Sequence, residues 1–271
     1  MPFTLFKGTF TPQFGRPDGD SMRFVPDNPD PLFHLTRRGA APKVNGINGS
    51  VQLRYEAIDT MESRAKDPFA SDATASNLNL AGTNGGAQPA RGYIFSNQIG
   101  PNGRPIAFVF AGDTAMADGS SHFVKAEDLG DSINVQQLAL GHAYPLYYDT
   151  LFADLRAFCD QAVNAARSAA KGVWAADVTN TGFGWTDDLK QLPPIFPKLW
   201  RRLDSYSRDE IFFEPDAPLS NLKAYIESRR DERVFLRDEQ RFAGFDDLVE
   251  IDGDQVHLTA EPQNMVVVSQ K

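Results

Sequence analysis

Cysteine is nearly absent from this chain: Cys159 stands alone among 271 residues. A single thiol excludes an intramolecular disulfide and any cysteine-based zinc cluster. Histidine is scarce as well. His34, His122, His142 and His257 lie far apart, without an HExxH or H-x3-H pair, so a histidine-rich metal site is not expected. No apolar run approaches ~18 residues, so no membrane-spanning helix is expected and no membrane is among the expected partners. The start, Met1 to Lys7, lacks a basic stretch followed by an apolar one. It reads as no secretory signal, which favours a cytoplasmic setting. Positive charge is also in deficit. A net charge of -9 argues against a protein that coats DNA by bulk electrostatics. It leaves room for an enzyme that grips one phosphate in a local cationic pocket.

What is present describes an ordinary folded protein. Hydrophobic residues make up 41% and charged residues 23%, far from the balance of a disordered chain. Residues 1–64 read as strands and turns. Ser21–Val25 follows a Pro-Asp-Gly-Asp turn, and Val51–Ile58 alternates apolar and polar residues. Residues 26–50 read as a long hairpin excursion. Pro68–Leu80 predicts a helix, followed by a Gly/Asn-rich loop over 81–90. Gly92–Ser96 and Pro105–Phe110 flank a turn containing Asn102-Gly103, a hairpin signal. Residues 111–131 form a polar loop. Ile133–His142 predicts a short helix. Thr150–Trp174 predicts the longest one, with Leu151, Leu155, Phe158, Ala162, Ala165 and Ala169 on one face and Gly172 marking its end.

Asn180–Gly184 is the best boundary candidate, dividing a domain over 1–178 from an accessory α+β domain over 179–271. The tail carries net -6 against -3 for the first 178 residues, so it is a poor grip for nucleic acid. Its acidity suits a role in covering a site or docking a protein partner. A helix is predicted over Leu219–Arg230, then strands at Arg233–Leu236, Leu248–Ile251, Gln255–Thr259 and Met265–Val268. Ile251–Leu258 contains a second Asp-Gly-Asp turn with no partner motif after it, and reads as a plain hairpin. Phe183, Trp185, Phe196, Trp200, Phe212 and Phe213 read as packing residues, and Cys159 as a buried small hydrophobe.

Four stretches carry chemistry together: Asp18-Gly19-Asp20-Ser21, Arg54 through Glu62, Gly103-Arg104, and Tyr144–Tyr147. Arg54 and Asp59 are an odd number of residues apart, so on one plain strand they face opposite ways. Asp59 is therefore expected at the strand's end, with Thr60 and Met61 turning the chain so that Glu62 shares its space. Two carboxylates and a turn carbonyl are hard oxygen ligands suited to Ca²⁺ or Mg²⁺. Two arginines suit a phosphodiester, because each guanidinium fork donates paired hydrogen bonds to phosphate oxygens. A third carboxylate is free to act on water.

In this order the motifs resemble the staphylococcal nuclease (thermonuclease) family, which pairs D-G-D-[TS] with R-x4-D-T-P-E and a later G-R. The resemblance spans roughly residues 3–178 and includes the helix, tyrosine stretch and long helix that follow. It implies an α+β protein: an OB-fold five-stranded barrel with three packed helices, here with a small C-terminal α+β module. It implies Ca²⁺-dependent hydrolysis of single-stranded or unpaired DNA or RNA, with the 5′-oxygen leaving. Asp20, Asp59 and the Thr60 carbonyl would hold the ion, with Mg²⁺ as an alternative. Arg54 and Arg104 would hold the phosphate, Glu62 would position or deprotonate water, and Tyr147 would contact the nucleotide. Met61 stands where the family pattern has proline. Pro101 and Asn102 stand where its best-known member has a lysine and a tyrosine. A catalytically silent OB-type module that binds nucleic acid or protein is the rival reading; such modules lose carboxylates or arginines that this chain keeps.

Overall fold

The computed structural model describes residues 2–37, 39–186, 188–229 and 233–269. It shows a mixed α+β protein with a nearly closed, barrel-like sheet and, among the described residues, five α-helices. These are α1 (Phe69–Leu80), α2 (Ile133–Ala139), α3 (Ala153–Ser168), α4 (Pro197–Tyr206) and α5 (Leu222–Ser228).

The sheet runs in the order Val51–Gln52, Arg23–Pro26, Phe3–Phe10, Ala90–Ile99, Pro105–Ala111, Arg54–Tyr55. Its first and last strands are separated in the chain only by Leu53, so the sheet curls until its edges meet around that residue. Curling removes most of the exposed edge that an open sheet would leave. The stem of the 26–50 excursion pairs as a hairpin, Phe24 opposite Val51. The excursion is also stitched in, because Thr36–Arg37 runs parallel to Gln98–Ile99. The 111–131 loop likewise adds Ser121–His122 beside Phe3–Thr4.

The predicted strand over Val51–Ile58 is broken. Ala57 takes a left-handed backbone (φ 70°). Arg54–Tyr55 pairs with Ile106–Ala107, whereas Ile58–Thr60 pairs with Ala143–Pro145. Asp59 therefore lies in a second short strand that ends at Thr60, and a turn closed by Ala65 N–H donating to the Glu62 carbonyl (2.8 Å) follows it. The buried Asn134 of α2 holds this break. Its amide donates to the carbonyls of Glu56 (2.8 Å) and Ala107 (3.0 Å), and its oxygen accepts from Val109 N–H (2.9 Å).

The long helix is shorter than its pattern. It ends at Ser168, and Ala170 turns left-handed at φ 47°. The chain leaves the helix to lay Gly172 against Gly141. A Cβ on Gly172 would fall 2.1 Å from the Gly141 carbonyl oxygen, so only glycine allows the approach.

Two cores divide the interior. The first fills the curled sheet and takes one face of α2 and α3, with Cys159 buried in it. The second holds Phe183, Phe196 and Trp200 of the tail, as their expected packing role requires. Trp185, Phe212 and Phe213 pack against its margin. It is not closed by the tail alone, since Met61, Ala65, Ala70, Tyr144, Leu146 and Val173 belong to it. Tyr147–Tyr148 also pairs in parallel with Val266–Val267. Within the Asn180–Gly184 stretch, Phe183–Gly184 is a strand, with Phe183 opposite Val256. Helix α5 covers Leu222–Ser228 of the predicted 219–230 pattern, whose last residue, Arg230, lies outside the described residues. The second Asp-Gly-Asp stretch is a hairpin turn with Gly253 at φ 63°.

Truncation tests this shared core. A chain ending at residue 178 exposes six buried apolar residues that now pack on the tail. It should melt well below the full chain in a circular dichroism scan; an unchanged midpoint would show that the second core adds nothing to the first.

Candidate active site

The Asp18–Ser21 turn is locked from several sides. Asp18 N–H donates to the Ser21 carbonyl (3.1 Å), and Tyr55 N–H donates to the Asp20 carbonyl (3.0 Å). Gly19 is needed for closeness: a Cβ there would lie 2.7 Å from both the Thr60 methyl and the Ala73 Cβ. Two fully buried amides grip the turn from behind. Asn77 donates to the Asp18 carbonyl (2.6 Å) and accepts from the Tyr55 hydroxyl (2.8 Å). Gln137 donates to the carbonyls of Gly19 and Ala73, each at 2.8 Å. Sequence reasoning placed α1 and α2 but missed both amides, because a polar residue on a helix gives no sign of which backbone it will meet.

Arg54 comes from a strand, and Arg104 from the turn that leads into the adjacent one. Arg54 sits opposite Ile106, two residues beyond Arg104, so both side chains leave the same face. The Arg104 turn is pinned by Lys43 N–H donating to the Gly103 carbonyl (2.9 Å) and Gly100 N–H to the Arg104 carbonyl (2.8 Å). Asp59 and Thr60 are buried, whereas Asp20, Glu62, Arg54 and Arg104 are partly exposed. All six line one cavity of about 560 Å³.

Charge is crowded there. Burial, then the fields of Asp18 and Asp59, holds the Asp20 carboxyl well above its usual range, with Arg54 opposing. Burial disfavours the Arg54 charge, but Tyr148, Asp59 and Asp20 outweigh it and raise its pKa. Burial and the neighbouring Arg54 lower that of Arg104.

Tyr147, expected at the substrate, is not in the cavity. It is fully buried, and its hydroxyl donates to Asp160 of α3 (2.8 Å), which also pairs with Arg237 (2.8 Å). Strand alternation sends its neighbour the other way. Tyr148 lines the cavity, accepts from Arg54 (3.3 Å) and lies 5.7 Å from that guanidinium, ring centre to carbon.

Asp59 and Glu62 do share a space, and a third arginine fills it. Arg201 of α4 donates to both Asp59 oxygens (3.0 and 2.8 Å) and to Glu62 (2.9 Å). Sequence reasoning missed α4. Its signal was Pro197 at the start and Phe196, Leu199, Trp200, Leu203 and Tyr206 at helical steps. Nothing local marks Arg201 itself.

A hard dication suits the donors. The Asp20 and Asp59 carboxylates and the Thr60 carbonyl are hard oxygen donors that could serve such an ion, and the Asp20 carboxyl is raised first by burial and then by Asp18 and Asp59. Among the described residues no group of three or more His, Cys, Asp or Glu side chains is arranged to hold a metal. No family model matches the chain, and no curated protein matches it.

Two outcomes follow for this scaffold. Asn77→Ala leaves the Asp18 carbonyl and Tyr55 hydroxyl unpaired and should cost about 1–3 kcal/mol in urea melts; no loss would mean the amide does not hold the turn. Glu56, buried beside Arg54, has its pKa raised from 4.5 to about 6, chiefly by burial. The folded state thus binds this proton more tightly than the unfolded chain. Its stabilising increment is complete below pH 4.5 and is lost as pH rises through 6, about 2 kcal/mol in all. Glu56→Gln should remove that slope from stability measured between these pH values; an identical slope in the variant would assign it elsewhere.

Proposed function

We propose that the chain is a Ca²⁺-dependent nuclease of the thermonuclease type, hydrolysing phosphodiester bonds in single-stranded or unpaired DNA or RNA. The observation that carries this reading is one cavity in which Arg54 and Arg104 stand with Asp20, Asp59 and Glu62. The near-closed sheet with α1, α2 and α3 on the same part of the chain agrees with an OB-type barrel.

Asp20, Asp59 and the Thr60 carbonyl would hold Ca²⁺, or Mg²⁺ in its place, which when bound would offset charge on the scissile phosphate. Arg54 and Arg104 bind two phosphate oxygens and meet the charge that builds on them as water adds. Glu62 holds the water and takes its proton. The water oxygen bonds to phosphorus as the bond to the 5′-oxygen breaks, and the departing oxygen is protonated. The products are a 3′-phosphate and a 5′-hydroxyl. A second cavity of about 420 Å³ shares Arg54, Arg104 and Tyr148 with the first and continues along Gln98, Ile106 and Val267. Its mixed polar and apolar lining suits the sugar and base beside the phosphate, which requires an unpaired base.

The silent binding module draws on one observation, the engagement of Asp59 and Glu62 by Arg201. Cleavage separates the two readings. Arg104→Ala should lower kcat on single-stranded DNA or RNA roughly 10²–10³-fold with melting unchanged, and chelation should abolish the wild-type reaction. Full turnover in Arg104→Ala, or no cleavage by the folded wild type with either ion, would overturn the hydrolytic reading.

A further inference from the structure

Helix α4 approaches the carboxylates because its other side is anchored. Leu199, Trp200 and Leu203 are buried in the second core, and the Trp200 ring nitrogen donates to the Leu189 carbonyl (3.4 Å). Met61, between Thr60 and Glu62, is buried in that same core. The contact is reciprocal. Arg201 reaches from α4 to Asp59 and Glu62, and Arg64 reaches back to Asp204 of α4 (2.7 Å). Arg64 also lies 5.9 Å from the Trp200 ring centre. Asp204 also pairs with Arg208.

Both oxygens of Asp59 are thus taken by one guanidinium fork, on a carboxylate that is 5% exposed. A dication needs those oxygens. Two cationic groups on one buried carboxylate repel, and the desolvated setting strengthens the repulsion.

Building on the metal assignment above, we propose that Arg201 is a built-in competitor for the divalent ion at Asp59, so that ion binding and Arg201 release are one linked step. The tail then sets the ion affinity of a site whose ligands all lie outside it. Linkage is mutual: whatever Arg201 subtracts from ion affinity, the ion subtracts from the hold of α4 on the site. Once released, the guanidinium lies beside the phosphate cavity, which Arg201 already lines.

The test is direct Ca²⁺ binding to the full chain by calorimetry, without substrate. Arg201→Gln keeps amide donors and removes the charge. It should bind Ca²⁺ roughly ten- to a hundredfold more tightly than wild type. Ca²⁺ should also raise its melting temperature more than it raises that of wild type. Asp204→Asn leaves Arg201 in place but weakens the Arg64 contact, and should shift affinity the same way by less; it serves if Arg201→Gln folds poorly. Equal or weaker binding in both variants overturns the proposal, as does an absence of Ca²⁺ binding throughout. Cleavage is scored separately. Variants that bind Ca²⁺ more tightly yet cleave nothing support the competition and remove the hydrolytic reading.

Discussion

Carboxylates drawn out of water must be matched by positive charge, and in this protein that demand organises the site. Asp59 is buried, and Asp20 feels both Asp59 and Asp18. Ionised acids so placed repel one another and lose hydration at once. Arg54 answers from the neighbouring strand and Arg201 from α4. Removing either partner of such a pair leaves an uncompensated charge, which costs far more than the intact pair contributes. The second core, which holds Leu199, Trp200 and Leu203 of α4 together with Met61, is what sets α4 where Arg201 can reach inward.

The backbone around the charges is held by neutral groups. Asn77, Gln137 and Asn134 each bond to carbonyls of chain segments that carry site residues or their neighbours. A buried amide with its partners satisfied fixes geometry without adding charge, which suits a place already crowded with it. The Asp18–Ser21 turn can come as close to Thr60 and Ala73 as it does only because Gly19 has no side chain. Rigid support behind a charged cavity keeps its donors aimed, so little reorganisation is needed when a ligand arrives.

The tail changes what the cavity is. In a bare barrel, Asp59 and Glu62 would face solvent. Here α4 walls that side, and Val267–Ser269 line the adjoining cavity. Met61 belongs to this arrangement. A proline at that position would fix the backbone, whereas methionine supplies a flexible apolar side chain that fits the second core. Met61 thus has a packing role visible only with the tail in place.

Much of the frame was legible from local pattern. A Pro-Asp-Gly-Asp turn marked the strand around Arg23, the Asn102-Gly103 hairpin signal marked those around Tyr93 and Phe108, and apolar steps of three and four marked α2 and α3. These signals are local because a strand or helix face repeats every two or three to four residues. Motif order also drew Asp20, Arg54, Asp59, Thr60, Glu62 and Arg104 to one place, and the cavity holds all six. The break at Ala57, the early end of α3 and the exchange of Tyr148 for Tyr147 lay beyond it. Each depends on a partner in another element: Asn134 for the break, Gly141 for the helix end, Asp160 for the buried hydroxyl. Arg201 is the extreme case, meeting Asp59 across 142 residues of sequence. The sequence by itself determined which residue types are present and most of the elements, α4 excepted, because those are set by short-range periodicity and turn chemistry. Tertiary structure alone decided which charge neutralises which, because an ion pair is fixed by distance in space and leaves no period in the chain.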